Sequence, residues 1–222
     1  MFRLNTTAAH EFESKRLKYP SQVFAKKEEN INSLLKDNEE AISLEKISLT
    51  KEEAWQGLKW KAETPEKYIP VKESIIVPDS RKLTEYGESF IRLSIQPSFA
   101  TGNLVVVKED IHIDENEKRI YFLGREVDVE QAKKYLQQID DSMLLEKPAL
   151  FHVEHAVKGS DDTPIATWKM VRLSDIDSQD EEEAQRILGI KNLVASFTGT
   201  KIYLQTIRQM SEAGCGNDRP KQ

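Results

Sequence analysis

Phe90-Ile91-Arg92-Leu93-Ser94-Ile95, then Leu104-Val105-Val106-Val107 running on to Ile111 and Ile113, then Ile120-Tyr121-Phe122-Leu123, is the stretch that decides the fold. β-Branched and aromatic residues dominate each run. Turn-formers separate them: Gln96-Pro97-Ser98 and Thr101-Gly102-Asn103, then Asp114-Glu115-Asn116-Glu117. That punctuation predicts an antiparallel meander. Working outward, Ser74-Ile75-Ile76-Val77 reads as an earlier strand ended by Pro78-Asp79. Residues 149–157 and 165–173 read as a last hairpin around Gly159-Ser160-Asp161-Asp162. Strand-forming runs are contiguous, which predicts an α+β chain rather than a parallel βαβ sheet.

Helices flank this core. Thr50 followed by Glu53 is a capping box, and Ala54, Trp55, Leu58 and Ala62 form an apolar stripe behind it. Thr64-Pro65 ends that helix, because the residue before a proline avoids the helical region. The end of the chain carries the longest stripe: Ile187, Ile190, Val194, Phe197, Leu204 and Ile207, interrupted at Thr200. It predicts a helix over 180–212, capped by Asp177-Ser178 and ended by Gly214, about 50 Å long. Residues 2–13 read as a first strand, since Phe2, Leu4, Thr6 and Ala8 share a parity. Residues 14–48 are Lys/Glu-rich and read as an exposed insertion with one short helix around Ile31, Leu34 and Leu35. Residues 128–145 read as a second, helical insertion bearing Val129, Ala132, Tyr135, Leu136 and Ile139.

Composition narrows the function classes. Of 222 residues, 38% are hydrophobic and 32% charged, with a formal charge of −6. An acidic chain lacks the global basic field of a nucleic-acid binder, and Lys26-Lys27 and Lys133-Lys134 are pairs balanced by nearby acids. No run approaches the roughly 20 apolar residues of a membrane span, and Met1-Phe2-Arg3-Leu4-Asn5-Thr6-Thr7 does not read as a secretory signal. Cys215 stands alone, so no internal disulfide forms. A cytoplasmic protein is expected. One domain over 1–214 is expected, with a disordered tail at 215–222.

A helix of that length laid on a curved sheet of about six to seven strands leaves a space between them, and concave apolar spaces bind small ligands. Leu49-Thr50-Lys51-Glu52-Glu53-Ala54-Trp55-Gln56-Gly57-Leu58-Lys59-Trp60-Lys61-Ala62, with Pro65, Tyr68 and Pro70, resembles the leading segment of the AtaL-like family of the START-like (SRPBCC) superfamily. Val107-Lys108-Glu109-Asp110-Ile111 and Tyr203-Leu204-Gln205-Thr206-Ile207-Arg208 resemble its later strand and terminal helix. The resemblance covers about half the chain. It implies a helix-grip fold around a hydrophobic cavity and supplies no catalytic residues. The insertions at 14–48 and 128–145 depart from the family pattern and are candidates for capping the cavity or for docking a protein partner.

The expected ligand is a lipid, polyketide or aromatic metabolite. Its expected contacts are Leu93, Ile95, Val107 and Phe122 from the meander, and Phe151, Val153, Trp168 and Met170 from the last hairpin. Val194, Phe197 and Thr200 would contribute from the terminal helix. Core packing explains the same residues if the cavity is filled. Thr200 is either a polar handle for the ligand or bonded to its own helix backbone. His152 and His155 are three apart on a strand and so diverge, which predicts no metal site. His155 shares parity with Phe151, Val153 and Val157 and is either a satisfied core histidine or the general base of a cyclase- or dehydratase-type enzyme. Arg92 and Glu109, on neighbouring strand segments, face either the cavity as a pair or solvent, and surface charge is the preferred reading. No G-x-x-x-x-G-K, G-x-G-x-x-G or G-x-S-x-G is present, and no cofactor is implied.

Overall fold

The structure is a computed structural model that describes residues 7–38, 48–98, 101–145, 149–173, 189 and 200–217. Eight strands form one curved antiparallel sheet: β1 (Val23–Asn30), β2 (Glu73–Ile76), β3 (Lys82–Thr84), β4 (Gly87–Pro97), β5 (Leu104–Asp114), β6 (Arg119–Arg125), β7 (Phe151–Gly159) and β8 (Pro164–Arg172). Their spatial order is β1-β8-β7-β6-β5-β4-β2, with β3 paired to β4. The meander from β4 to β8 is the predicted one. Between the two edge strands β1 and β2 the chain carries α2 (Ile31–Lys36) and α3 (Lys51–Glu63). With the C-terminal α6 (Thr200–Asn217), these cover what we call the inner face, the helix-grip arrangement.

The α3 start is built as its residues require. Thr50 Oγ1 accepts from the Glu53 amide (3.2 Å) and Glu53 Oε2 accepts from the Thr50 amide (2.8 Å). Trp55, Leu58 and Ala62 then pack with Ile111, Ile120 and Phe122 of the sheet and with Ile202, Tyr203 and Ile207 of α6. Tyr68 donates to Gln209 Oε1 at 2.7 Å and ties α6 to the segment after α3. This half of the inner face is therefore packed with side chains, and the expected hollow under the terminal helix is filled there.

The outer face is covered too. α1 (Thr7–Lys18) lies over β6–β8, burying Ala8, Ala9 and Phe12 against Tyr121, Leu123 and Val171. Glu11 on the same helix accepts from both terminal nitrogens of Arg125, whose Nε donates to Asp110, and reaches His152 Nε2 at 3.0 Å. The Arg125 guanidinium holds the Glu11 carboxyl down at about 2. α4 (Val129–Tyr135) and α5 (Ser142–Leu145) place Ala132, Leu136 and Met143 over Leu93, Ile95 and Val106.

Four expectations are corrected. Residues 7–18 are helical, because the buried positions 8, 9 and 12 follow a helix stripe; Phe2, Leu4 and Thr6 lie outside the described residues. The described part of the 14–48 segment, residues 14–38 and 48, is no exposed insertion: β1 extends the sheet beside β8, and Ile31 and Leu35 are fully buried. β1 was hidden because an edge strand with one neighbour tolerates the run Lys26-Lys27-Glu28-Glu29. Residues 128–145 do form an inserted helical segment, but as two short helices that close the outer face. Finally, α6 continues through Gly214 to Asn217 rather than stopping there. Its expected cap at 177–178 and the stripe residues Ile187, Ile190, Val194 and Phe197 lie outside the described residues. Among the described residues no helix is long and apolar enough to cross a membrane.

Candidate functional site

Strand register sorts the sheet's side chains into rows on the inner face. One row runs Arg92, Glu109, Gly124 across β4, β5 and β6. The next runs Phe90, Ile111, Phe122, Val153, Met170, Phe24. A third runs Ile113, Ile120, His155, Trp168. Gly124 brings no side chain to the first row, and a methyl group there would lie 2.5 Å from the Phe151 carbonyl oxygen. Beside that gap lies a cleft of about 50 Å³. Val105, Val107, Phe151 and Val153 wall it, Gln96 and Ser98 line its polar side, and the Glu109 side chain, 14% exposed, reaches it.

Behind the cleft sits a buried polar cluster. Arg92 donates from Nη2 to Glu109 Oε2 at 2.5 Å and from Nη1 to the Ala62 carbonyl at 2.7 Å. The Ala62 oxygen belongs to the last turn of α3, where carbonyls lack intrahelical partners. The guanidinium also stands 5.5 Å from the Phe122 ring centre. Lys61 reaches down from α3 over the same ring, its Nζ 4.7 Å from the ring centre and 3.0 Å from His155 Nε2. His155 lies edge-on to Phe122 (5.6 Å between ring centres) and beside Trp168 (6.3 Å).

Burial, and then the Lys61 charge, hold the His155 pKa well below its ordinary value, so the ring is neutral. Burial, helped by the Arg92 charge, pulls the Lys61 amine down to about 7 against the opposing pull of Glu109. An ammonium has only protons to offer, so a charged Lys61 requires an unprotonated Nε2 and places the ring hydrogen on Nδ1.

These values carry a stability consequence. The unfolded lysine titrates near 10.5 and the folded one near 7. Between those values the unfolded chain holds the extra proton. The cost of the buried ammonium is therefore full below pH 7 and relieved as pH rises toward 10.5. Relative to a Lys61→Met variant, the unaltered chain should gain stability with pH across that window, by at most about 1.4 kcal/mol per unit. Urea unfolding at a series of pH values measures it, and a flat difference between the two proteins counts against a depressed amine.

The expected contacts divide. Val107, Phe151 and Val153 line the cleft. Phe122, Trp168 and Met170 share the inner face but sit in the packed rows beside it. Leu93 and Ile95 are corrected: they pair with Lys108 and Val106, face outward and are sealed under α4 and α5. Thr200, at the start of α6, is buried. Hydroxyls farther along α6 do bond back to their own helix: Thr206 to the Ile202 carbonyl (2.8 Å) and Ser211 to the Ile207 carbonyl (3.1 Å). Val194 and Phe197 lie outside the described residues. His152 and His155 do face opposite sides. His155 points inward as its parity required, while its partner Lys61 was missed. The signal was present: Lys61 falls seven residues after Ala54, on the apolar stripe of α3. Of the two readings of Arg92 and Glu109, the inward-facing pair is the one observed, with Arg92 buried and Glu109 14% exposed, rather than the preferred surface one. With both sheet faces covered, both parities of β4 are inside, and periodicity no longer separates core from surface.

No protein-family model matches the chain, and no curated protein matches it either. Among solved structures it is similar to the Zhui aromatase/cyclase from Streptomyces sp. R1128, at 8% identity and a TM-score of 0.49, covering 87% of this chain and 96% of that one. It is similar to TTHA0849 from Thermus thermophilus at 10% identity and a TM-score of 0.47, covering 86% and 98%. A START superfamily protein from Mycobacterium smegmatis follows at 7% identity and a TM-score of 0.45, covering 85% and 98%.

Proposed function

We propose that the chain is a START-like binding protein for a small, mostly apolar molecule that bears one hydrogen-bond donor. The observation that carries this reading is the cleft itself: aliphatic and aromatic walls ending on a carboxylate that Arg92 holds in place. A carboxylate offers about four lone-pair positions across two oxygens, and Arg92 engages one oxygen. A ligand hydroxyl or amine fits the remaining capacity. An enclosed space of about 50 Å³ is small beside a typical ligand site. One end of the ligand is therefore enclosed, and the rest lies along the mouth past Gln96 and Ser98. The AtaL-like resemblance of residues 49–70 supports a lipid, polyketide or aromatic metabolite as the ligand. The lone cysteine supports a cytoplasmic setting. The described residues 14–38 and 128–145 pack against the sheet, so the binding function is proposed without a protein partner.

The test uses N-phenyl-1-naphthylamine, an apolar amine whose fluorescence rises on burial. The full chain should bind it saturably, and Val107→Trp, which fills the cleft, should abolish the signal. Leu83→Trp, at a position 90% exposed and away from the cleft, should leave it intact. Equal binding by all three proteins would place the probe elsewhere and defeat the reading. Native mass spectrometry of freshly purified protein then identifies any retained compound.

A further inference from the structure

We infer that Lys61 is a reactive amine that captures a carbonyl group of the ligand as an imine, with His155 as its proton acceptor. The inference deepens the proposed binding function and rests on it, naming a carbonyl compound as the ligand class.

The placement of the amine is the argument. A lysine on the apolar stripe of a helix ordinarily runs its stem over the core and lifts its head into water. Lys61 does not, and only 7% of it is exposed. A buried ammonium ordinarily has a carboxylate beside it. Lys61 has an imidazole at 3.0 Å, and the acid that acts on it, Glu109, is already bonded to Arg92. Burial and a neighbouring cation are the two conditions that leave an amine uncharged and nucleophilic near neutral pH, and Lys61 has both. Access comes from the cleft, which ends on Glu109, Gly124 and Val153. Gly124 is two residues from Phe122, the ring under the amine, and residues two apart on a strand are separated by about 7 Å. Capture requires the four-carbon stem of Lys61 to swing across that step.

The chemistry balances without an oxidant or reductant. The Lys61 lone pair attacks the carbonyl carbon, forming the N–C bond as the C=O π pair moves to oxygen. One N–H proton passes to His155 Nε2 and on to that oxygen, giving a carbinolamine. A second proton transfer through the same ring lets the hydroxyl leave as water while C=N forms. One carbonyl and one amine give one imine and one water. His155 is neutral at the outset and so able to accept.

Octanal is the probe, with cyanoborohydride to reduce any imine to a stable amine. At neutral pH, intact mass should show a single reduced adduct on the full chain, and peptide mapping should place it on Lys61 ahead of the exposed lysines. Lys61→Arg should lose it, and His155→Gln should slow it by roughly a hundredfold. Octanol, which cannot form an imine, is tested in parallel by displacement of N-phenyl-1-naphthylamine. Octanol bound with Lys61 unlabelled rejects the reactive amine and leaves the binding function standing. Neither octanol bound nor Lys61 labelled rejects both. Label on Lys61 without octanol binding upholds the amine and rejects the cleft. Mapping on the unaltered chain decides the matter even if a variant fails to fold.

Discussion

Replacing Arg92 by leucine should destabilise the protein by about 3–5 kcal/mol, the range for removing one partner of a buried ion pair. Three losses coincide. The Glu109 carboxylate, 14% exposed, loses its 2.5 Å partner. The Ala62 carbonyl at the end of α3 loses its 2.7 Å donor. The guanidinium leaves the Phe122 ring, against which Lys61 also packs. Most of the cost is the stranded carboxylate rather than the net strength of the pair. The double variant Arg92→Leu, Glu109→Leu should therefore recover much of the loss, because apolar replacement of both partners is often neutral. Urea midpoints for the two single variants and the double one close the cycle. A single-variant loss under about 1 kcal/mol, or a double variant no better than Arg92→Leu, would show that water already solvates the pair.

The second large effect falls on a glycine. A methyl group on Gly57 of α3 would lie 2.0 Å from Oγ1, 2.7 Å from Cγ2 and 2.9 Å from Cβ of Thr206 on α6. Thr206 is fully buried, and its hydroxyl donates to the Ile202 carbonyl. Rotation about χ1 moves Oγ1 and Cγ2 but not Cβ, so the helices must separate. Overpacking of this kind costs about 1–3 kcal/mol. Alanine also gains about 1 kcal/mol over glycine in a helix interior. Gly57→Ala should nonetheless be destabilising, with a lower melting temperature. Thr206→Ala in the same chain should restore part of the loss, because it removes Oγ1 and Cγ2 and leaves only the Cβ contact at 2.9 Å. If Gly57→Ala melted at or above the unaltered protein, the contact between α3 and α6 would be looser than the geometry requires. Gly57 also lies inside the AtaL-like resemblance, as the glycine after Trp55-Gln56. Its role here is physical: it lets two helices cross without a side chain between them.

Local chemistry made much of the fold legible. The turn-formers at 96–98, 101–103 and 114–117 and the runs between them prescribe β4, β5 and β6, because each run carries enough β-branched and aromatic residues to be read alone. The Thr50–Glu53 box prescribes the start of α3 for the same reason: both hydrogen bonds lie within four residues. β1 was not legible. Its sequence Val23-Phe24-Ala25-Lys26-Lys27-Glu28-Glu29-Asn30 holds three apolar residues, and its strand conformation comes from β8 beside it. α1 was misread for a related reason, since three buried side chains, Ala8, Ala9 and Phe12, are too few for a period to emerge.

By itself the sequence determined the meander, the capped α3 helix and the inward parity of His155, all consequences of interactions between near neighbours in the chain. Tertiary structure alone decided the rest. It buried Arg92 against Glu109, set Lys61 on His155 across 94 positions of sequence, and turned Leu93 and Ile95 away from the cleft by covering the outer face. Those outcomes depend on desolvation, and how far a charge is desolvated depends on what packs over it, which no run of neighbouring residues encodes.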